Sequence, residues 1–151
     1  MYEVIFMSSQ SRTHKFIPPT PAQFAAATAW VERFEQQWLN PNPDHLAELK
    51  HPDTQNLIPP MTKPANRQEV VEFFRTQLTR VPDFKLEVIR WAPTGDTVMI
   101  EWEATARIKE TPLTWRGIDR VSLRDGRTYA GQVFWDTRRV AEQLAAAAQG
   151  A

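Results

Sequence analysis

The chain has 151 residues, 42% hydrophobic and 24% charged, with 18 basic residues against 18 acidic, six tryptophans and no cysteine. That length predicts one domain; zero formal net charge argues against nucleic acid or an anionic membrane as partner, and the lack of cysteine excludes disulfides, thiol catalysis and thiolate metal sites. The longest apolar run falls well short of the ~18 residues of a membrane span, and residues 1–7 are too short and polar for a signal peptide, so a cytoplasmic chain is expected.

Residues 1–19 show no hydrophobic period and read as an arm. Thr20-Pro21-Ala22-Gln23 then carries a helix start, with a Thr cap, Pro at the first helical position and Gln closing a capping box. Phe24, Ala27, Trp30, Val31, Phe34 and Trp38 follow at spacings of three and four, which predicts a helix with one apolar stripe, stopped by Asn40-Pro41-Asn42-Pro43. A short second helix is predicted over residues 44–50, capped by Asn42, burying Leu46 and Leu49 and ended by His51-Pro52-Asp53. Residues 54–61 read as a short extended piece, because Pro59-Pro60 cannot continue a helix. Asn66-Arg67-Gln68-Glu69 is a second capping box and opens a third helix with Val70, Phe73, Phe74, Gln77 and Leu78 on one side.

At Phe84 the apolar period changes from about 3.6 to two, and strands are predicted over residues 84–91, 97–108, 113–123 and 128–136. The connections carry Pro93-Thr94-Gly95-Asp96, Lys109-Glu110-Thr111-Pro112 and the hairpin dipeptide Asp125-Gly126, so the four strands form an antiparallel meander. Val98, Ile100, Trp102 and Ala104 share the inward face with Trp115, Gly117, Asp119 and Val121. Glu101 and Glu103 face outward in register with Arg116 and Arg120, as a ladder of cross-strand charge pairs. A short helix from Arg138 is expected to fade into a flexible tail over residues 145–151. The fold expected is α+β: a four-strand meander plus a short extra strand, curved around three N-terminal helices as one cone-shaped domain with an internal pocket over residues 20–144.

The run Trp115-Arg116-Gly117-Ile118-Asp119-Arg120-Val121, with Val98-Met99-Ile100-Glu101-Trp102 before it and Val133-Phe134-Trp135-Asp136-Thr137 after it, resembles the SnoaL-like branch of the nuclear transport factor 2-like superfamily. The resemblance implies a cone-shaped pocket but not one reaction, since its members include ketosteroid isomerases, polyketide cyclases, limonene epoxide hydrolases and non-catalytic binding proteins. Ile118-Asp119 is similar to the isomerases' Ile-Asp step, whose protonated aspartate steadies a developing enolate. Their tyrosine falls near Phe34 or Glu35 and their base near Ile58-Pro59, so both are replaced. The epoxide hydrolases' catalytic positions look like Trp102, Ala104 and Val133, which carry no acid or base, while the Asn that helps hold their water is matched by Asn56. The acid of the polyketide cyclases falls near Val133 or Trp135 and is replaced as well.

Asp119 is therefore the candidate catalytic acid, or hydrogen-bond donor. The alternatives are a structural carboxylate accepting from Trp30, Trp38 or another indole, or an outward-facing one. Asn56 is the candidate for orienting ligand or water, and His51 the candidate base, by its reference pKa and its place near the cone's mouth. Trp30, Trp38, Trp102, Trp115 and Trp135 fall on inward positions, and with Val133 they suggest a wall for a small apolar or aromatic ligand. Gly117 and Gly131 would leave room for that ligand or permit sheet curvature. No metal set and no cofactor are expected, because His and acidic residues do not cluster at ligand spacing. The chemistry implied is proton transfer, isomerisation or cyclisation without a cofactor, the alternative being a non-catalytic ligand-binding or assembly module. Met99, Ile118 and Phe134 on the outward face suit a homodimer contact.

Overall fold

A computed structural model describes residues 16–150. Helix α1 covers Pro21–Leu39 and starts on the expected capping box: the Gln23 backbone N–H donates to Thr20 Oγ1 at 3.1 Å, and the Thr20 N–H to Gln23 Oε1 at 2.9 Å. Its stripe buries Ala27, Trp30, Val31, Phe34 and Trp38, whereas Phe24 is 51% exposed and lies against Trp91 at its outer end. Helix α2 is a single turn, Pro43–Leu46, capped by Asn42 and followed by a 3-10 turn over Ala47–Leu49. Here the second helix expected to run to Lys50 ends early, and Lys50 opens a strand instead.

That strand, β1, spans Lys50–Leu57, so His51-Pro52-Asp53 lies inside a strand rather than at a helix end, and Pro59-Pro60 follows it. Helix α3, Arg67–Arg80, carries the second capping box through Asn66 and Glu69. The meander follows as β2 (Lys85–Thr94), β3 (Thr97–Ile108), β4 (Thr111–Arg124) and β5 (Arg127–Trp135). Asp125 and Gly126 both take positive φ, 52° and 69°, the geometry of a hairpin turn whose twist matches its strands.

The sheet order is β1-β5-β4-β3-β2, with β1 parallel to β5 and the other pairs antiparallel. The sheet is thus mixed, not wholly antiparallel as expected. A parallel partner needs a long crossover, which α3 and the meander supply. Across the curved inner face the register sets Trp102 beside Gly117, Ile100 beside Asp119, Asp119 beside Val133 and Gly131 beside Asn56. On the outer face Arg116 pairs with Glu103 at 2.8 Å as expected, but Glu101 takes Arg90, also at 2.8 Å, and Arg120 donates to Gln132 at 2.7 Å.

A fourth helix, α4, runs Thr137–Gln149, capped by Asp136, whose Oδ1 accepts the Arg139 N–H at 3.0 Å. It is ordered helix where a tail was expected from residue 145, and Ala147 is 1% exposed. Within the expected arm, Ile17 bonds to the β2–β3 turn: its N–H donates to Thr94 Oγ1 at 3.1 Å and its carbonyl accepts from Gly95 N–H at 2.8 Å. The remainder of that arm, residues 1–15, lies outside the described residues.

Candidate functional site

Inward alternation on β3, β4 and β5 and the stripe of α1 point aromatic residues at one another across the hollow of the sheet. They do not fill it. A cavity of about 650 Å³ remains between the sheet, α1, α3 and α4, a size suited to a small organic molecule. Trp38, Trp102, Trp115, Val133 and Trp135 all line it, with Phe73 of α3 and Leu144 of α4 on the helical side. At its inner end lies a chamber of about 30 Å³, sharing Phe34, Trp38, Ile58, Asp119 and Val133 with the cavity and adding Trp30, Lys50, Asn56 and Gln132.

Asp119 stands where cavity and chamber meet. The Trp102 Nε1–H donates to its Oδ1 at 2.8 Å. Gly117 explains how an indole reaches it: the two residues are cross-strand partners, and a Cβ on Gly117 would overlap the Trp102 ring. The glycine therefore seats the indole flat over β4, with its N–H at the carboxylate two residues on. Of the expected pocket residues, Gly117 alone lies beneath the wall rather than in it, and Trp30 borders the chamber only. Burial raises the Asp119 pKa from 3.8 to about 6, against the lowering effects of the Trp102 hydrogen bond and the Lys50 charge.

Lys50, which the sequence did not single out, faces Asp119 across the chamber. Its Nζ donates to Asn56 Oδ1 at 2.9 Å, and burial lowers its pKa from 10.5 to about 8 despite the attraction of Asp119. Asn56 is 2% exposed and fixed at its other end, where Nδ2 donates to Thr54 Oγ1 at 3.1 Å. Gly131 leaves space for that amide, since a Cβ there would stand 2.8 Å from Asn56 Oδ1. Trp135 is tied by its Nε1–H to the Pro59 carbonyl at 3.0 Å.

His51 is not brought to this site. It neighbours Lys50 on β1, but its Nε2 lies 3.5 Å from Asp125 Oδ2, its Nδ1 accepts the Asp53 N–H, and its ring packs edge-on against Tyr129. The sequence reading of His51 as base is corrected by this orientation, because strand alternation turns it away from the chamber that Lys50 lines. Among the described residues, no group of three His, Asp or Glu side chains is placed to hold a metal ion.

The family described as SnoaL-like domain matches residues 27–130. No curated protein sequence matches the chain. Solved structures share the fold at low identity. The candidate polyketide cyclase IdmH from Streptomyces antibioticus is 18% identical over 79% of this chain and 98% of its own, with a TM-score of 0.68. A candidate SnoaL-like polyketide cyclase from Jannaschia sp. CCS1 is 14% identical over 85% and 97%, at 0.72. An epoxide hydrolase of the LEH-like type from M. tuberculosis is 17% identical over 82% and 92%, at 0.68.

Proposed function

The chain belongs to the SnoaL-like domain family, and we propose that it binds a small, flat apolar or aromatic carbonyl compound in the cavity and moves a proton on it without a cofactor. The reaction class is isomerisation or cyclisation. The observation that carries this reading is Asp119, one oxygen held by Trp102 and the carboxyl lining a largely apolar cavity. With its pKa near 6, Asp119 is ionised at neutral pH. It is then a base rather than the donor suggested by the isomerase resemblance: it takes the proton α to the carbonyl and returns it elsewhere on the ligand. Two of the structural neighbours are candidate polyketide cyclases, which supports ring-forming chemistry over other uses of the same cavity.

The test is exchange of the α-protons of 2-tetralone into heavy water, followed by proton NMR. Acceleration by the wild-type protein, lost in Asp119→Asn at unchanged 2-tetralone affinity, supports the reading. Equal acceleration by the variant overturns it. Binding without acceleration selects the non-catalytic reading, which the largely apolar lining of the cavity favours. As partner we propose a second copy of the chain, docked through the outer sheet face, where Met99, Ile118 and Phe134 are exposed between the Arg90–Glu101 and Arg116–Glu103 pairs. A monomer mass by sedimentation at micromolar concentration would refute that.

A further inference from the structure

A lysine buried for structural reasons is normally pinned as an ammonium by a carboxylate in direct contact. Lys50 is not. Its hydrogen-bond partner is a neutral amide oxygen, and the orientation of that amide is fixed, because Asn56 Nδ2 is committed to Thr54 and Gly131 makes room for Oδ1 beside the lysine. Asn56 therefore holds one N–H of the amine and leaves the rest of the nitrogen to the chamber, which shares Asp119 as a lining residue with the ligand cavity. The other described lysines, Lys63, Lys85 and Lys109, are exposed. Leu46 and Leu49, both buried, line the same chamber as Lys50 and supply the apolar part of its wall.

We propose that Lys50 is an amine nucleophile that forms an imine with an aldehyde or ketone carbonyl of the ligand, with the Asp119 carboxylate as its proton relay across the chamber. The neutral amine's lone pair adds to the carbonyl carbon, and the C=O π electrons pass to oxygen. The Asp119 carboxylate takes one proton from the Lys50 ammonium, which frees that lone pair, and passes it to the oxygen; the C–O bond then breaks, and the oxygen leaves as water with the relayed proton and a second one from the nitrogen. An iminium and a carboxylate remain, so charge and atoms balance. A desolvated lysine is suited to this, since the neutral, nucleophilic form is favoured by an apolar environment, and burial indeed lowers its pKa. The proposal rests on the cavity being a ligand site and deepens that reading: it narrows the carbonyl compound to an aldehyde or ketone and explains how its α-proton becomes acidic enough for a carboxylate, because an iminium withdraws electrons more strongly than a neutral carbonyl.

The experiment treats the full-length protein with limiting 2-naphthaldehyde and cyanoborohydride and locates the naphthylmethyl group by peptide mass mapping, while calorimetry measures naphthalene binding. Labelling of Lys50 about ten-fold faster than of any exposed lysine is expected, with protection by naphthalene and slowing in Asp119→Asn. Lys50→Met should remove the cavity label and keep naphthalene binding; Lys50→Gln serves if the Met variant does not fold. Labelling confined to exposed lysines while naphthalene still binds overturns the imine and leaves the cavity reading intact. Failure of naphthalene to bind the wild-type protein overturns both.

Discussion

Asp119→Asn should make the protein more stable near pH 8 and leave it unchanged near pH 4. The fold raises this carboxyl from 3.8 to about 6, roughly two pH units at ~1.36 kcal/mol each, so holding it ionised costs ~3 kcal/mol. The sign follows from proton counting. Between about pH 4 and 6 the folded state binds more protons at this position than the unfolded chain, so its contribution to stability falls as pH rises through that window and stays at its low value above it. Asn keeps an oxygen for the Trp102 N–H and carries no charge to desolvate, while Lys50 loses its facing charge. The attraction of Lys50 is already contained in the net shift, so the gain is expected at about 2–3 kcal/mol near pH 8. Urea denaturation of both proteins near pH 4 and near pH 8 measures it, with titrations elsewhere common to the two. A stability difference that is the same at both pH values would show that Asp119 is not held against its preference, and the argument for a tuned acid–base group would fall.

Further outcomes follow from the same geometry. The 2-tetralone exchange rate should rise as pH passes through about 6, because the base form of Asp119 grows there; a rate that falls through that range would restore the donor role. Gly117→Ala should cost about 1–3 kcal/mol by urea denaturation and slow exchange, since the new methyl displaces the Trp102 ring that holds the carboxylate; unaltered stability would refute the seating of the indole. His51→Ala should leave exchange within about two-fold of wild type, as the ring faces Asp125 and Tyr129, and a larger loss would return it to the site.

Period and caps made most of the fold legible. The strand from Thr97 to Ile108 was readable to its ends, because buried Val98, Ile100, Trp102 and Ala104 alternate with Met99, Glu101, Glu103 and Thr105 on the other face. The same alternation put Asp119 on the inner face, and the structure supplies the indole that holds it, Trp102 rather than Trp30 or Trp38. Lys50 was not legible. Leu46 and Leu49 at helical spacing carry the eye through it as the last residue of a polar-sided helix, and only the switch from a 3-10 turn to a strand turns its side chain inward. The parallel pairing of β1 was hidden for a related reason: local pattern shows that a segment is extended, not which distant edge it joins. His51 misled because its chemistry, not its strand register, had recommended it.

The parallel pairing of β1 with β5 also bears on how the protein is made. Lys50 and Thr128 are register partners separated by about half the chain, and Asn56 meets Gly131 in the same way. Such contacts close only after the intervening helix and three strands are in place, so their entropic cost falls late in folding. As the chain leaves the ribosome, the amine and its amide emerge long before the carboxylate and the strand that seats them. A chain lacking β5 therefore has neither Thr128 beside Lys50 nor Gly131 beside Asn56, and the proposed reactive end is assembled only in the completed fold.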